Sequence, residues 1–188
     1  RLFFILMIIG FLYSTENVRG LLKNSNISLN DIYNNKWAVI IGINDYENLN
    51  PLQYAVEDAK SIKTLLTTQY GFLDQNIIYL IDENASKINI ENAFYTLVEK
   101  SKPNDAVIFF FAGHGTTKKQ TGGDGDLGYL IPIDGDPEYL TRSAISMSAI
   151  KTFSDQIPAK SILFLIDACY GGLAAVGQYR SDTNFDFI

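Results

Sequence analysis

The chain has 188 residues, of which 47% are hydrophobic and 19% are charged, a balance that suits one compact domain with a buried core. Its formal net charge of −6 disfavours nucleic acid as a partner, because phosphates are bound largely through clustered Lys and Arg. With one Cys and one His, the chain can form neither an intramolecular disulfide nor a metal site built on several thiolates.

An apolar run opens the sequence. Residues 1–13, RLFFILMIIGFLY, are too few to span a bilayer comfortably as a helix but match the core of a secretory signal. No clean small-residue cleavage site follows, and a buried structural segment is the alternative. We expect a signal or membrane-anchor segment over residues 1–20 and a polar linker over residues 21–35. If the segment is a signal, the protein is secreted, extracytoplasmic or membrane-anchored; otherwise it is cytoplasmic.

Buried strands and amphipathic helices alternate after the linker. The runs WAVIIGI (37–43) and NIIYLI (76–81) are apolar throughout, as in strands that are buried on both faces of a sheet. Apolar residues at helical spacing follow each strand. Gly71 is the predicted end of the first helix, and Ser86 is a predicted cap of the second.

Two more apolar strands are predicted over residues 106–111 and 161–166. About 45 residues separate them, more than a bare loop needs, and they contain a strand-like segment at 128–132 and a helical segment at 148–155. Apolar strands separated by helices predict a parallel sheet with right-handed crossovers. The fold class is therefore α/β, a three-layer α/β/α sandwich with a mostly parallel sheet.

The only His and the only Cys follow the third and fourth strands, in FAGHG and DACYGG. Neighbouring parallel strands end at the same edge of a sheet about 4.8 Å apart, so His114 and Cys169 are expected to face one crevice. An imidazole beside a thiol suits acyl transfer, in which the thiolate attacks and the imidazole moves protons. A lone Cys is more often an inert buried thiol and a lone His a structural residue, but glycine-rich turns offer little packing, so we favour the catalytic roles.

These motifs resemble those of the caspase and metacaspase superfamily of cysteine peptidases. The caspase signature is Q-A-C-[R/Q/G]-G with a His about 50 residues upstream, and here DACYG follows His114 by 55 positions (169 − 114). With KWAVIIGINDY and YAVEDAKSI, the resemblance spans about residues 36–180 and is closest to bacterial caspase-like proteins. It implies a caspase-like catalytic domain over residues 36–188. It also implies two further strands and a pocket wall after the region that ends here, so we expect the carboxyl-terminal strands to be lacking.

The resemblance also implies roles for individual residues. The backbone N–H groups of Gly115 and Cys169 would stabilise the oxyanion. Asp58 and Asp167 match the acidic pocket of metacaspases and paracaspases, which cut after Arg or Lys. A buried carboxylate pair would bind a cationic side chain and repel Asp. We therefore predict a cysteine endopeptidase that hydrolyses protein or peptide substrates after Arg or Lys, although Asp167 could instead brace its turn and Asp58 could be a solvated helix residue.

We expect no cofactor and no metal. Many metacaspases hold calcium, and oxygen ligands are superficially available here, but the paired-Asp position of that site reads Ser146 and Met147. The superficial ligands are Asp124, Asp126, Asp134 and Asp136. Self-cleavage is common in the superfamily, and Arg180 is the only basic residue after Cys169. The oligomeric state is left open.

Two other classes of protein remain as alternatives. A catalytically inactive caspase-like scaffold or regulatory domain would keep the fold for partner binding, but the intact Cys, His and glycines disfavour it. A flavodoxin-like nucleotide or receiver domain would share the alternating pattern. That class would not explain the GHG and DAC motifs together.

Overall fold

Four parallel strands form the central sheet in the computed structural model, which describes residues 32–119 and 125–168. They lie in the order β2-β1-β3-β7. The strands are β1 (Lys36–Gly42), β2 (Ile77–Ile81), β3 (Ala106–Gly113) and β7 (Ser161–Ala168). All four were predicted from their apolar runs, but β3 and β7 are two residues longer than predicted. Their ladder continues through residues that do not favour strands, with Ala112 opposite Asp167 and Gly113 opposite Ala168.

Four α-helices are described in the chain. They are α1 (Ala55–Gln69), α2 (Lys87–Lys100), α3 (Leu140–Ser143) and α4 (Met147–Gln156). Gly71 has a φ of 67°, the left-handed conformation that follows many helix ends, two residues after α1. Ser86 caps α2, because its hydroxyl accepts the Asn89 N–H at 3.4 Å. Both sequence predictions about helix ends are therefore confirmed.

The helices cover both faces of the sheet, which gives the three-layer sandwich. Successive side chains of β1 point to opposite faces. Ala38 and Ile40 belong to the cluster that contains the buried face of α1, whereas Val39 and Ile41 belong to the cluster that contains α2 and α4. α1 lies so close to β1 that a Cβ added at Gly42 would stand 2.5 Å from the Ala55 carbonyl oxygen. The two central strands β1 and β3 are thus buried on both sides, as their apolar sequences require, whereas β2 at the sheet edge is half-buried throughout.

A second, antiparallel sheet lies between β3 and β7 in the sequence. It has the order β4-β5-β6 and consists of β4 (Gly115–Lys119), β5 (Asp126–Leu130) and β6 (Ile145–Ser146). Only β5 was predicted, and it begins and ends two residues earlier than expected. β4 was missed because its sequence GTTKK is polar and ends exposed, so it lacks the apolar pattern of a buried strand.

The buried carboxylate of Asp105 connects several segments at the amino-terminal edge of the central sheet through hydrogen bonds. Asp105 has no exposed surface. Its side chain accepts the N–H and the side-chain amide of Asn35 at 3.0 and 3.1 Å, and the Trp37 indole N–H at 3.0 Å. It also accepts the Lys102 N–H at 3.0 Å. These bonds join the chain before β1 to the turn before β3, which fixes the start of the two central strands.

The strand order places a switch point at the carboxyl edge of β1 and β3. From β1 the chain passes through α1 to β2 on one side, and then through α2 to β3 on the other side. Crevices in α/β sheets open where the connections diverge in this way. In the described part of the chain, no helix is both long and apolar enough to cross a membrane. The apolar segment predicted over residues 1–20 lies outside the described residues.

Candidate active site

His114 follows β3 directly and is held at two points by the β1–α1 loop (residues 43–54). Its backbone N–H donates to the Tyr46 hydroxyl at 2.7 Å, and its Nε2 lies 2.8 Å from the Asn50 carbonyl oxygen. The Tyr46 ring lies against the imidazole, with centroids 4.7 Å apart and planes tilted by 55°. One loop therefore contacts both the backbone and the ring of His114.

The contact with Asn50 determines which ring nitrogen can act as a base. A carbonyl oxygen only accepts hydrogen bonds, so Nε2 of His114 must carry the proton that joins them. In the neutral ring Nδ1 then has a free lone pair and can receive a proton from a neighbouring acid. Asn50 precedes Pro51, which restricts its backbone to extended conformations and helps to fix the direction of its carbonyl.

The β1–α1 loop is itself anchored to β2 and to α1. Asp82, directly after β2, accepts the N–H groups of Asn44 and Asp45 at 2.7 and 3.1 Å. The Asn44 side chain accepts the Ala55 N–H at 3.0 Å, which satisfies a free donor at the start of α1. Asp82 has a φ of 41°, a conformation that a non-glycine residue adopts only at a cost. The loop is thus a fixed support for His114.

The peptide group between His114 and Gly115 has a defined direction. The His114 carbonyl accepts the Ile131 N–H at 3.0 Å, just beyond β5. In a trans peptide the N–H points opposite to the carbonyl, and the described residues include no cis peptide. The Gly115 N–H is therefore directed away from Ile131. Such a backbone N–H next to a reactive group has the chemistry of an oxyanion donor.

β7 leads to the position of the thiol. Its last described pair with β3 is Gly113 opposite Ala168, and the next residues in the two segments are His114 and Cys169. Cys169 is the first residue beyond the described part of the chain, and Arg180 also lies outside it. The register therefore brings the two segments side by side up to the residue before each candidate.

Two carboxylates accompany this edge of the sheet. Asp58 lies in the first turn of α1 and is half-buried, whereas Asp167 is the penultimate residue of β7 and is exposed. Desolvation raises the pKa of Asp58, and the negative charges of Asp167 and Glu57 raise it further. The pKa of Asp167 is also raised by desolvation, despite its exposure to solvent. The structure thus brings Asp58 and Asp167 into electrostatic contact, in a more open setting than the buried pair predicted.

Two of the four carboxylates that superficially resemble calcium ligands have other roles. Asp134 accepts the Lys87 N–H at 2.9 Å and so supports the first turn of α2. Asp136 accepts the Glu138 N–H at 2.9 Å in the following single helical turn. Asp126 is exposed on β5, and Asp124 lies outside the described residues. Over residues 32–119 and 125–168, no three His, Cys, Asp or Glu side chains are grouped so that they could hold a metal ion.

Comparison with known protein families identifies the fold of the chain. The caspase domain family matches residues 35–185. The chain belongs to this family. The match covers both GHG and DACYGG, so the caspase-like topology predicted from those motifs is confirmed.

Metacaspases are among the relatives of this caspase domain. The chain is 29% identical to Metacaspase-1 of Eremothecium gossypii over 159 residues, which are 79% of the chain and 34% of that protein. It is 32% identical to Metacaspase-6 of Arabidopsis thaliana over 147 residues, which are 73% of the chain and 38% of that protein. The chain therefore spans little more than a third of the length of these relatives.

A solved structure also shares the caspase-like fold. A Geobacter sulfurreducens protein of known crystal structure superposes with a TM-score of 0.61 at 15% identity. The alignment covers 74% of this chain and 52% of that one. At this identity the likeness concerns the fold alone.

The residues of this caspase domain that support His114 were not predicted as site residues. Tyr46 ends the KWAVIIGINDY run that carries the resemblance, but no role was assigned to it, and Asn50 and Asp82 belong to no motif. One signal was available, since the β1–α1 loop follows a central strand at the carboxyl edge of the sheet. Side chains and carbonyls in such a loop can reach a residue that follows the neighbouring strand.

Proposed function

We propose that this caspase domain belongs to a cysteine endopeptidase that cuts after Arg or Lys. The observation that carries the proposal is the orientation of the His114 ring, whose Nε2–H is bound to the Asn50 carbonyl while Nδ1 keeps its lone pair. This ring follows β3, and the neighbouring strand β7 ends at Ala168, immediately before Cys169. A glycine-flanked base with one free nitrogen and a thiol that follows the neighbouring strand suit peptide hydrolysis.

The proposed reaction has two halves. In acylation the Cys169 thiol gives its proton to Nδ1 of His114, and the thiolate attacks the carbonyl carbon of the peptide bond. The negative oxygen receives hydrogen bonds from the N–H groups of Gly115 and Cys169. The intermediate then collapses, the C–N bond breaks, and the imidazolium protonates the leaving amine. A thioester joins the acyl group to Cys169.

Deacylation regenerates the enzyme. Neutral His114 takes a proton from water, and the resulting nucleophile attacks the thioester carbon. The C–S bond breaks, the carboxylic acid product leaves, and the thiolate recovers its proton from the imidazolium. The hydrogen bond from Nε2 to the Asn50 carbonyl is compatible with every step, because Nε2 stays protonated throughout.

The acidic pair supports the proposed preference for a cationic side chain. Each carboxylate of Asp58 and Asp167 has a raised pKa, and the charge of Asp167 contributes to the shift at Asp58. A bound guanidinium or ammonium would remove this mutual repulsion and form charge-assisted hydrogen bonds. A third carboxylate, from an Asp substrate, would increase the repulsion.

A panel of fluorogenic peptides that differ only in the residue before the scissile bond tests this preference. We expect cleavage after Arg and Lys to exceed cleavage after Asp by about a hundredfold or more in kcat/KM, since like charges cost several kcal/mol. Asp58→Asn and Asp167→Asn should each reduce the preference. Asp74→Asn, at an exposed carboxylate near the far end of α1, should leave it unchanged. Preferred cleavage after Asp would contradict the proposal.

Two further properties are proposed for the same enzyme. Self-cleavage would occur after Arg180. The wild type should then produce processed fragments, and both Arg180→Ala and Cys169→Ala should lack them.

Calcium independence is proposed because Asp134 and Asp136 already accept hydrogen bonds from backbone N–H groups. A chelator such as EGTA should therefore leave the cleavage rate unchanged.

A further inference from the structure

Tyr46 makes more contacts with His114 than a packing residue would need. Its side chain is 9% exposed, its hydroxyl accepts the His114 N–H at 2.7 Å, and its ring lies 4.7 Å from the imidazole. We propose that Tyr46 is a positioning residue that holds the His114 imidazole on the Asn50 carbonyl and so keeps Nδ1 free as the base. The proposal deepens the proposed function and rests on it.

The Tyr46 hydroxyl occupies a space that is open because residue 113 is a glycine. A Cβ added at Gly113 would stand 2.4 Å from the Tyr46 hydroxyl oxygen, far inside van der Waals contact. Glycine at position 113 therefore lets the phenol approach the backbone and accept the next N–H. The small residue before His114 and the phenol across from it act as one unit, which packing of the ring alone would not require.

The two contacts to His114 depend on each other because they come from the same loop. Tyr46 and Asn50 both lie in the β1–α1 loop, which Asp82 anchors through the N–H groups of Asn44 and Asp45. If the hydroxyl releases the backbone of His114, the imidazole can move relative to the Asn50 carbonyl. The preference for a proton on Nε2 would then weaken, and Nδ1 would carry a proton for part of the time.

The support does not change with pH in the range where cysteine peptidases work. Burial raises the pKa of Tyr46 well above its ordinary value, and the hydrogen bond from His114 opposes this shift only in part. The nearby charge of Asp82 raises the pKa of Tyr46 further. The phenol therefore stays neutral, and its oxygen accepts the His114 N–H without forming an ion pair with the imidazolium.

Steady-state kinetics of Tyr46→Phe provide the first test. This change keeps the ring and removes only the hydroxyl. We expect kcat to fall about tenfold, since a displaced general base loses a large part of its contribution. KM should stay within about twofold, because Tyr46 does not bind substrate, and the melting temperature should change by only a few degrees. The control is Tyr70→Phe, a half-buried phenol at the other end of α1, which should match the wild type.

Nitrogen NMR of the imidazole provides a readout that needs no substrate. The chain has one His, so the two ring nitrogens of His114 give the only imidazole signals. In the wild type at neutral pH, these signals should be those of a ring protonated on Nε2. In Tyr46→Phe they should move toward each other, as both tautomers become populated, whereas Tyr70→Phe should leave them in place. Gly113→Ala should act like Tyr46→Phe, because its Cβ displaces the hydroxyl.

The outcomes separate the positioning role from the proposed function. Unchanged ring signals in Tyr46→Phe would overturn the positioning role, whether or not kcat falls. A wild-type kcat in Tyr46→Phe would overturn it as well. If the wild type cleaves no peptide but the ring signals move in Tyr46→Phe and in Gly113→Ala and not in Tyr70→Phe, the proposed peptidase function fails and the positioning role stands.

Discussion

Asp58 and Asp167 carry charges that folding makes less favourable. Their pKa values are raised above the ordinary value of 3.8, in both cases chiefly through desolvation. The native state therefore binds more protons than the unfolded state between 3.8 and the raised values. The stability that these groups contribute is fully present below 3.8 and is lost as the pH rises through the raised pKa. Ionised carboxylates at these two positions therefore lower the stability of the fold.

Removal of one of these charges should therefore stabilise the fold at neutral pH. We expect Asp58→Asn to melt at a higher temperature than the wild type at about pH 7, and the difference to vanish at about pH 3, where both forms are neutral. Thermal unfolding at the two pH values measures it. Asp74→Asn, whose carboxylate is exposed, serves as the control. Lower stability of Asp58→Asn at neutral pH would mean that the Asp58 charge is favourable after all.

Asp105, unlike Asp58 and Asp167, is expected to stabilise the fold, because its buried carboxylate accepts four hydrogen bonds. Asp105→Ala would leave the donors of Asn35, Trp37 and Lys102 without their acceptor in or near the interior. We expect the free energy of unfolding in urea to fall by about 3 to 5 kcal/mol. Asp155→Ala, which removes an exposed ion pair with Lys151, should change it by less than about 1 kcal/mol. Similar losses in the two variants would show that the Asp105 network contributes little.

Among the helices, α2 is attached to the sheet through an aromatic stack. Phe94 lies between Phe109 of β3 and Phe153 of α4, with ring centroids 4.9 and 4.8 Å away. We expect Phe94→Ala to lower the free energy of unfolding by about 3 to 5 kcal/mol, since it leaves a cavity in a fully buried site. Ile88→Ala is the matched control on the same helix, because Ile88 is 60% exposed and its truncation should cost less than about 0.5 kcal/mol. Urea unfolding measures both variants. Equal losses in the free energy of unfolding would contradict a stabilising role for the aromatic stack.

The elements differ in how well they could be predicted from the sequence. β1 could be predicted because a strand buried on both faces is apolar along its length, and β2 could be predicted because it has the same apolar pattern, although it is only half-buried at the sheet edge. β4 could not, since a polar strand at an exposed edge is stabilised by its pairing with β5 rather than by its own side chains. The ends of β3 and β7 were placed too early for the same reason. Their last pairs depend on the neighbouring strand and not on strand propensity.

The residues of the candidate site also differ in how well they could be predicted from the sequence. His114 and Cys169 could be singled out because each is unique and follows a buried strand. The support from Tyr46 and Asn50 could not, because it joins positions 46 and 50 to position 114 across two strands. Such contacts arise from tertiary structure, and half of the support is a backbone carbonyl, which no side chain in the sequence reveals.

The topology of the whole molecule brings the candidate site residues together. At the switch point between β1 and β3, the β1–α1 loop contacts His114, and the end of β7 pairs with the end of β3. α1 begins at the same edge, so its first turn brings Asp58 near Asp167. Three separate parts of the chain thus contribute the candidate base, its support and the acidic pair: the β1–α1 loop with the start of α1, the residue after β3, and the end of β7. This arrangement belongs to the caspase domain rather than to any single motif.

Covalent labelling of Cys169 by an acyloxymethyl ketone that carries Arg directly tests the pairing of this thiol with the His114 imidazole. Cys169 is the only thiol in the chain, so intact mass spectrometry measures its modification without ambiguity. We expect the Arg reagent to add one label to the wild type, much faster than the matching Asp reagent does. With the Arg reagent, His114→Ala should be labelled at least about a hundredfold more slowly than the wild type. Cys169→Ala should take up no label. Equal labelling rates in the wild type and His114→Ala would contradict the pairing of the thiol with the imidazole.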